Sequence, residues 1–301
     1  ANGVVIVTTK GAKEGKIRVS YDGSVGIQTL YKQMDVLSGD EYMTYLNEKA
    51  RVNDQPAVFT PEQIAANVWN TNWQDEIFRS AVITNHAVDI SGGGPTFKGS
   101  LGLSYFDQDG IVKKGGYERI SIRTNLEYNI SKYVSASANI IFSRSNHDQM
   151  NSQGGSRGTT VINSALTASP LATPHYDDGS WNDLQARPTA GMHPVAYLHE
   201  VKNRRYANRL LANAALTVKP VEGLSVQIAA NVQNSQARSD HTRSLAYPNY
   251  DGAASIGFDE VVDITSNNII TYDKGFGRHH LNVMGGITYE QSVSKSVGTG
   301  T

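Results

Sequence analysis

Residues 117–130 read YERISIRTNLEYNI. Ile120, Ile122, Leu126, Tyr128 and Ile130 share one phase of this stretch; Arg119, Ser121, Arg123, Asn125, Glu127 and Asn129 share the other. Side chains on a strand alternate between its faces, so this period of two predicts a strand with one apolar and one strongly polar face. The same alternation in residues 16–28, KIRVSYDGSVGIQ, sets Ile17, Val19, Tyr21, Val25 and Ile27 against Arg18, Ser20, Asp22, Ser24 and Gln28. It returns in the segments around Leu101, Ile140, Leu210, Ile228, Ile270 and Val283, and a shorter one around Val88 brings the count to about nine. Most runs are about 12–13 residues, against the five or six of an ordinary globular strand. Tilted near 40°, they rise roughly 30 Å, enough to cross the apolar band of an outer membrane.

The connections alternate as regularly as the residues. Short turns are predicted near residues 92–95, 131–132, 220–223 and 273–277, and long loops over about 29–81, 106–116, 146–206 and 238–266. Barrels of the outer membrane have short periplasmic turns and long outer loops, whereas a sandwich or solenoid has no reason for this asymmetry. The first long loop carries two helix starts. Ser38–Glu41 and Thr60–Gln63 each have the spacing of a capping box, the second with Pro61 at the first helical position.

Composition removes several function classes. Lys plus Arg number 27 and Asp plus Glu 28 among 301 residues, which gives no electrostatic case for nucleic acid. The apolar share is 39% and the mean hydropathy −0.38, and no stretch of about 18 apolar residues predicts a transmembrane helix. A barrel strand needs only alternate apolar residues, so a membrane stays open. Cysteine is absent, and with it thiolate chemistry, disulfides and thiolate metal sites. There is no Gly-x-Ser-x-Gly, and the acidic pairs Asp75-Glu76 and Asp259-Glu260 are sequence neighbours, as on a solvated face. His279-His280 would point to opposite faces of a strand, so the two cannot chelate one ion together. Asp107–Gly110 and Asp177–Ser180 are acidic enough for calcium but lack its twelve-residue ligand pattern, and turn chemistry accounts for them. No catalytic residue, cofactor site or metal site is expected.

The chain opens ANGVVIVTTKG, in which Val4–Thr9 is β-branched on both faces. Such a strand needs partners on each side, and nothing precedes it here, so residues 1–12 are expected to end a domain that begins upstream. Residues 13–301 are expected to form the barrel part. An odd strand count with no closing partner for the first strand predicts further strands downstream.

These residues together resemble the SusC/RagA group of TonB-dependent outer-membrane transporters. The likeness lies in Ala1–Lys10 followed by Lys16–Gln28, in NWQDEIFR at 72–79, in the SGG end of 88–93, in YFDQDGIV at 105–112, in 163–170, in PVAYL at 194–198 and in 272–290. His193 stands where Asn would be expected before PVAYL. The resemblance implies an all-β transmembrane antiparallel barrel of 22 strands, of which this chain supplies about nine after the last strand of a plug. It further implies a Gram-negative outer membrane, a SusD-like surface lipoprotein over the loops, energy from the TonB–ExbB–ExbD complex, and import of a glycan or, in some members, a peptide. The alternatives are a passive porin or adhesin barrel and a secreted soluble β-rich glycan-active protein.

Two residue sets are candidates for contact. Trp69, Trp73, Tyr176, Trp181, Tyr247 and Tyr250 fall in the long loops, where they either stack on substrate or pin the loops together. Arg119, Arg123 and Glu127 lie on one face of one strand, with Arg209 and Lys219 similarly placed on another. Charges so placed would be costly in a dry core and suit a wet lumen, as plug contacts or as ordinary solvated wall.

Overall fold

In the computed structural model, residues 14–150, 160–183 and 192–301 are described. Nine strands form one sheet in simple sequence order, each antiparallel to the next. They are β1 (Gly15–Gln28), β2 (Ala81–Gly93), β3 (Phe97–Asp109), β4 (Gly116–Asn129), β5 (Val134–Asp148), β6 (Val201–Val218), β7 (Leu224–Arg243), β8 (Ala253–Phe276) and β9 (His279–Gly300). Among the described residues five helices lie in the loops at one end: α1 (Gly39–Val52), α2 (Pro61–Ala65), α3 (Trp73–Ile77), α4 (Val161–Thr167) and α5 (Pro194–Glu200). No helix among the described residues is long and apolar enough to cross a membrane. The Val4–Thr9 strand lies outside the described residues.

The register keeps the two faces separate through eight pairings. Val88, Leu103, Ile122, Phe142 and Leu210 form one row across β2–β6, and Asp89, Gly102 and Arg123 form a row of the opposite face. Opposed residues of an antiparallel pair share a face, so alternation within each strand becomes an apolar wall and a polar wall. The apolar wall is open. Ile17, Val25, Ile122, Ile228 and Ile287 are all exposed, and none of them is covered by protein. Such a face suits lipid, and the polar face suits a wet lumen.

The polar wall has one internal device. Asn125, Asn139, Asn213 and Asn231 occupy one row across β4–β7. The Asn125 side-chain amide donates to Asn139, the Asn139 amide to Asn213 at 3.5 Å, the Asn213 amide to Asn231, and the Asn231 amide to the Thr265 carbonyl at 3.4 Å. A cross-strand ladder of this kind satisfies donors and acceptors within the wall.

Turns of residues 94–96, 130–133, 219–223 and 277–278 close one end. At Gly223 the backbone φ is +84°, and a Cβ would meet the Asp273 carbonyl oxygen at 2.9 Å, so only glycine fits without strain. Gly277, at φ +61°, turns the last hairpin in the same way. At the other end the loops are 29–80, 110–115, 149–200 and 244–252.

The fourth loop is far shorter than the 238–266 read from the sequence, and the third narrows from 146–206. Arg238 to Arg243 pair with Phe258 to Ala253, and Arg204 pairs with Asp148, although 238–243 and 201–206 lack an apolar phase. The strands here run on past the apolar band, where water wets both faces and alternation is not required. Backbone pairing extends them, and the Arg204–Asp148 ion pair at 2.5 Å joins one such end across β5 and β6.

Placing charge on the apolar wall should separate the faces cleanly. Ile122→Arg is expected to cost about 2–4 kcal/mol of folding stability in lipid, and Ser121→Arg much less. Urea titration of the full-length protein in liposomes measures both.

Candidate functional site

The described buried core lies mainly in the loops. Trp73, Ile77, Val112, Val161, Ala165, Ala168, Val195 and Leu198 form one cluster, and Ala196, Val201 and Tyr247 form a second beside it. These residues come from all four long connections and the start of β6, so the loops fold together as a cap. Backbone bonds tie the cap from loop to loop: Thr71 to the Pro170 carbonyl at 2.9 Å, Lys113 to that of Ile77 at 2.8 Å, and Ser244 to that of Glu200 at 2.9 Å.

Local sequence explains the cap helices. Both capping boxes form, with Ser38 accepting from the Glu41 backbone and Thr60 from Gln63 while each partner side chain reaches back. The two Ser38 hydrogen bonds hold the Glu41 carboxyl below its usual pKa. His193 is the N-cap of α5, its Nδ1 accepting from the Ala196 backbone at 3.1 Å and its Nε2 lying 3.0 Å from the Pro174 carbonyl. An Nδ1 that accepts leaves the proton on Nε2, which then donates to Pro174. The histidine therefore does what asparagine does at an N-cap, and adds a bond across the loop.

The six loop aromatics divide by burial. Trp73 and Tyr247 are 2% and 4% exposed. Trp73 donates through Nε1 to the Ser169 carbonyl at 2.9 Å, and the Tyr247 hydroxyl accepts from the His193 backbone at 3.2 Å. Both pin loops and offer no face to a ligand. Trp181 is half-buried, stacked on His175 at 4.1 Å, with Nε1 donating to Glu200 at 3.0 Å. Trp69, Tyr176 and Tyr250 are exposed, the last under the Arg243 guanidinium at 4.9 Å. The acidic turns hold their own backbone and neighbours: Asp178 accepts from the Ser180 amide and hydroxyl, and Asp109 pairs with Arg79 at 3.0 Å.

The lumen charges also divide. Arg123 lies 3.8 Å from Asp89, and Glu127 lies 3.7 Å from Lys98, so these two are paired within the wall. Arg119 sits over the Phe106 ring at 5.8 Å, and Arg209 donates to Gln233 at 3.3 Å. Below the cap a cavity of about 960 Å³ opens against this wall, lined by Gln28, Gln108, Tyr117, His147, Tyr197 and Asn203 among others. Sequence reading missed this cavity, because Tyr117 and His147 meet only through the β4–β5 register. Nothing in the described set assembles a metal centre: among the described residues no three His, Asp or Glu converge.

No family model matches the chain. It is 29% identical over 97% of its length to TonB-dependent receptor P3 of Formosa agariphila, and covers 28% of that protein. It is 26% identical over 95% of its length to TonB-dependent receptor SusC of Bacteroides thetaiotaomicron, covering 30% of it. Among solved structures, the RagAB peptide importer in its open-open state superposes with a TM-score of 0.80 at 17% identity, over 97% of this chain and 36% of that one. The RagAB peptide transporter gives 0.77 at 18% identity, over 97% and 37%. The chain thus spans about 30% of the length of the curated relatives it matches. The SusC/RagA likeness read from the sequence holds along nearly the whole chain, and the nine-stranded sheet is part of an outer-membrane β-barrel wall.

Two outcomes follow for the cap. His193→Ala removes an N-cap and is expected to cost about 1 kcal/mol, while His193→Asn keeps most of it; hydrogen exchange of residues 194–200 reads the difference. His199 has its pKa held below the ordinary 6.5 by partial burial against Trp181, with Lys114 adding to the effect. A depressed histidine binds its proton better unfolded, so its contribution is complete above 6.5 and lost as pH falls through the folded value. Corrected for the intrinsic slowing of exchange in acid, protection of the α5 amides should fall below 6.5, and His199→Gln should flatten that response.

Proposed function

We propose that this stretch of a SusC/RagA-type TonB-dependent receptor forms the plug-proximal part of the barrel wall in an importer of glycans. The observation that carries the reading is the two-faced sheet: an apolar wall left open to lipid, a polar wall facing a lumen, and helix-bearing loops gathered at one end only. On this reading residues 1–12 end the plug and residues 13–301 run through the wall. The turns face the periplasm and the cap faces outward.

The cap gives a surface on which a SusD-like lipoprotein would sit. It is folded before any partner arrives, since its core, its capping boxes and its loop-to-loop bonds are internal. Exposed Trp69 and Tyr176 offer flat apolar faces of the kind that pack on sugar rings, which supports the glycan reading. Cargo released below the cap would enter the 960 Å³ cavity against the wall. Arg123 and Glu127 serve the wall itself, through Asp89 and Lys98. The chain needs no covalent chemistry for this work. Transport is driven by TonB–ExbB–ExbD pulling on the upstream plug.

Energy coupling tests the reading. In cells carrying the full-length protein, a labelled oligosaccharide cargo should bind the surface with or without TonB and accumulate only with it. Collapse of the proton-motive force should likewise stop accumulation and leave binding. Accumulation that persists without TonB would make the protein a passive pore.

A further inference from the structure

We infer that the lumen wall just below the cap carries an anion subsite, and that the cargo is therefore an acidic glycan bearing carboxylate or sulfate groups. The inference rests on the import reading above and names the cargo class for it. Five residues make the subsite, all at lumen-facing positions of β3–β6. Phe106 opposes Arg119, Tyr117 opposes His147, and His147 opposes Arg205. Phe106 lies 6.0 Å from Tyr117, which lies 5.7 Å edge-on from His147, and the Arg119 guanidinium is 5.8 Å from the Phe106 ring. Aromatic faces and two guanidiniums thus form one strip, and Tyr117 and His147 line the cavity.

The charge on this strip is unbalanced. Arg79, Lys98, Arg123, Arg204 and Arg238 each have a carboxylate within 4 Å. Arg119 and Arg205, both exposed, have no carboxylate partner among the described residues, and neither has Arg209 two positions further along the lumen phase from Ala207. Lumen-facing neighbours on β3–β6 at this level are Ser104, Gln108, Ser121, Ser143, Ser145, Asn203 and Ala207, all uncharged. Asp148 borders the cavity, but it is held by Arg204 at 2.5 Å. The lumen acids of β8 and β9 are engaged or distant in register: Asp259 accepts from Ser296 at 2.6 Å and Asp263 from Ser292 at 2.6 Å. A cluster of guanidiniums without a counter-charge repels itself and attracts anions, and a walled cleft concentrates that field. Guanidinium presents two parallel donors, which match the geometry of carboxylate and of sulfate oxygens. Phe106 and Tyr117 supply the flat apolar surface for the ring that bears the anion.

Calorimetry on the full-length transporter with its lipoprotein partner tests this. The probes are uronate oligomers, sulfated oligomers and neutral oligosaccharides of matched length. At least one acidic class should bind about tenfold or more tighter than the neutral oligomers, with the advantage fading at high salt. Arg119→Gln and Arg205→Gln should each weaken that class about tenfold and leave neutral binding unchanged, while Arg→Lys variants recover part of the loss. The winner between uronate and sulfate identifies the anion. Equal acidic binding by wild type and the Arg119→Gln/Arg205→Gln double variant overturns the subsite. So does normal acidic binding combined with leakage of large antibiotics into cells, which would assign the arginines to the plug. Binding of neutral oligomers alone removes the acidic cargo and leaves glycan import standing. Uptake of peptides with no binding of any oligosaccharide removes the glycan reading itself.

Discussion

Inside a bilayer no water is available to satisfy a backbone amide or carbonyl, so each must find its partner within the protein. The seven inner strands meet this condition by pairing on both sides, and β1 and β9 pair on one, through eight consecutive ladders with one register shift, near Gly15. Much else follows from it. Pairing in chain order sets turns and loops at opposite ends, and the register carries the apolar phase of each strand to one wall and the mainly polar phase to the other, with Phe106, Ile141 and Leu211 as apolar members of the polar wall.

The hydrophobic effect works in an unusual place as a result. Lipid replaces a protein core on the apolar wall, so the tight packing is left to the loops. Ile77, Val161 and Ala196 are fully buried there, while most strand residues are half-buried or exposed. The cap is in effect a small globular body whose chain enters and leaves through the barrel rim. Trp73 and Tyr247 act in it as core residues do anywhere, each burying a ring and hydrogen-bonding its polar tip.

Local rules of the chain were legible in advance, and long-range ones were not. Alternation located the nine strands, and both capping boxes stood in the text as Ser38–Glu41 and Thr60–Gln63. The segment VKNRRY at 201–206 looked like loop because it lacks an apolar phase, and Arg205 was overlooked with it. Burial of Trp73 depends on Ser169 and His193, some hundred residues away, which no periodicity announces. The asparagine row was half visible: Asn125 and Asn139 are equidistant from the turn between β4 and β5, and Asn213 and Asn231 lie nearly so about the next short turn. Joining the two pairs needs the β5–β6 register, which spans the whole third loop.

That row has a chemical constancy that the rest of the wall lacks. Amide side chains neither gain nor lose a proton over the range in which carboxylates and histidines titrate, and they carry no net charge for salt to screen. A change of ionic strength therefore alters Asp89 with Arg123 without altering Asn125, Asn139, Asn213 and Asn231. At that level, a surface sliding past β4–β7 meets the same pattern of donors and acceptors in fresh water, brine or acid.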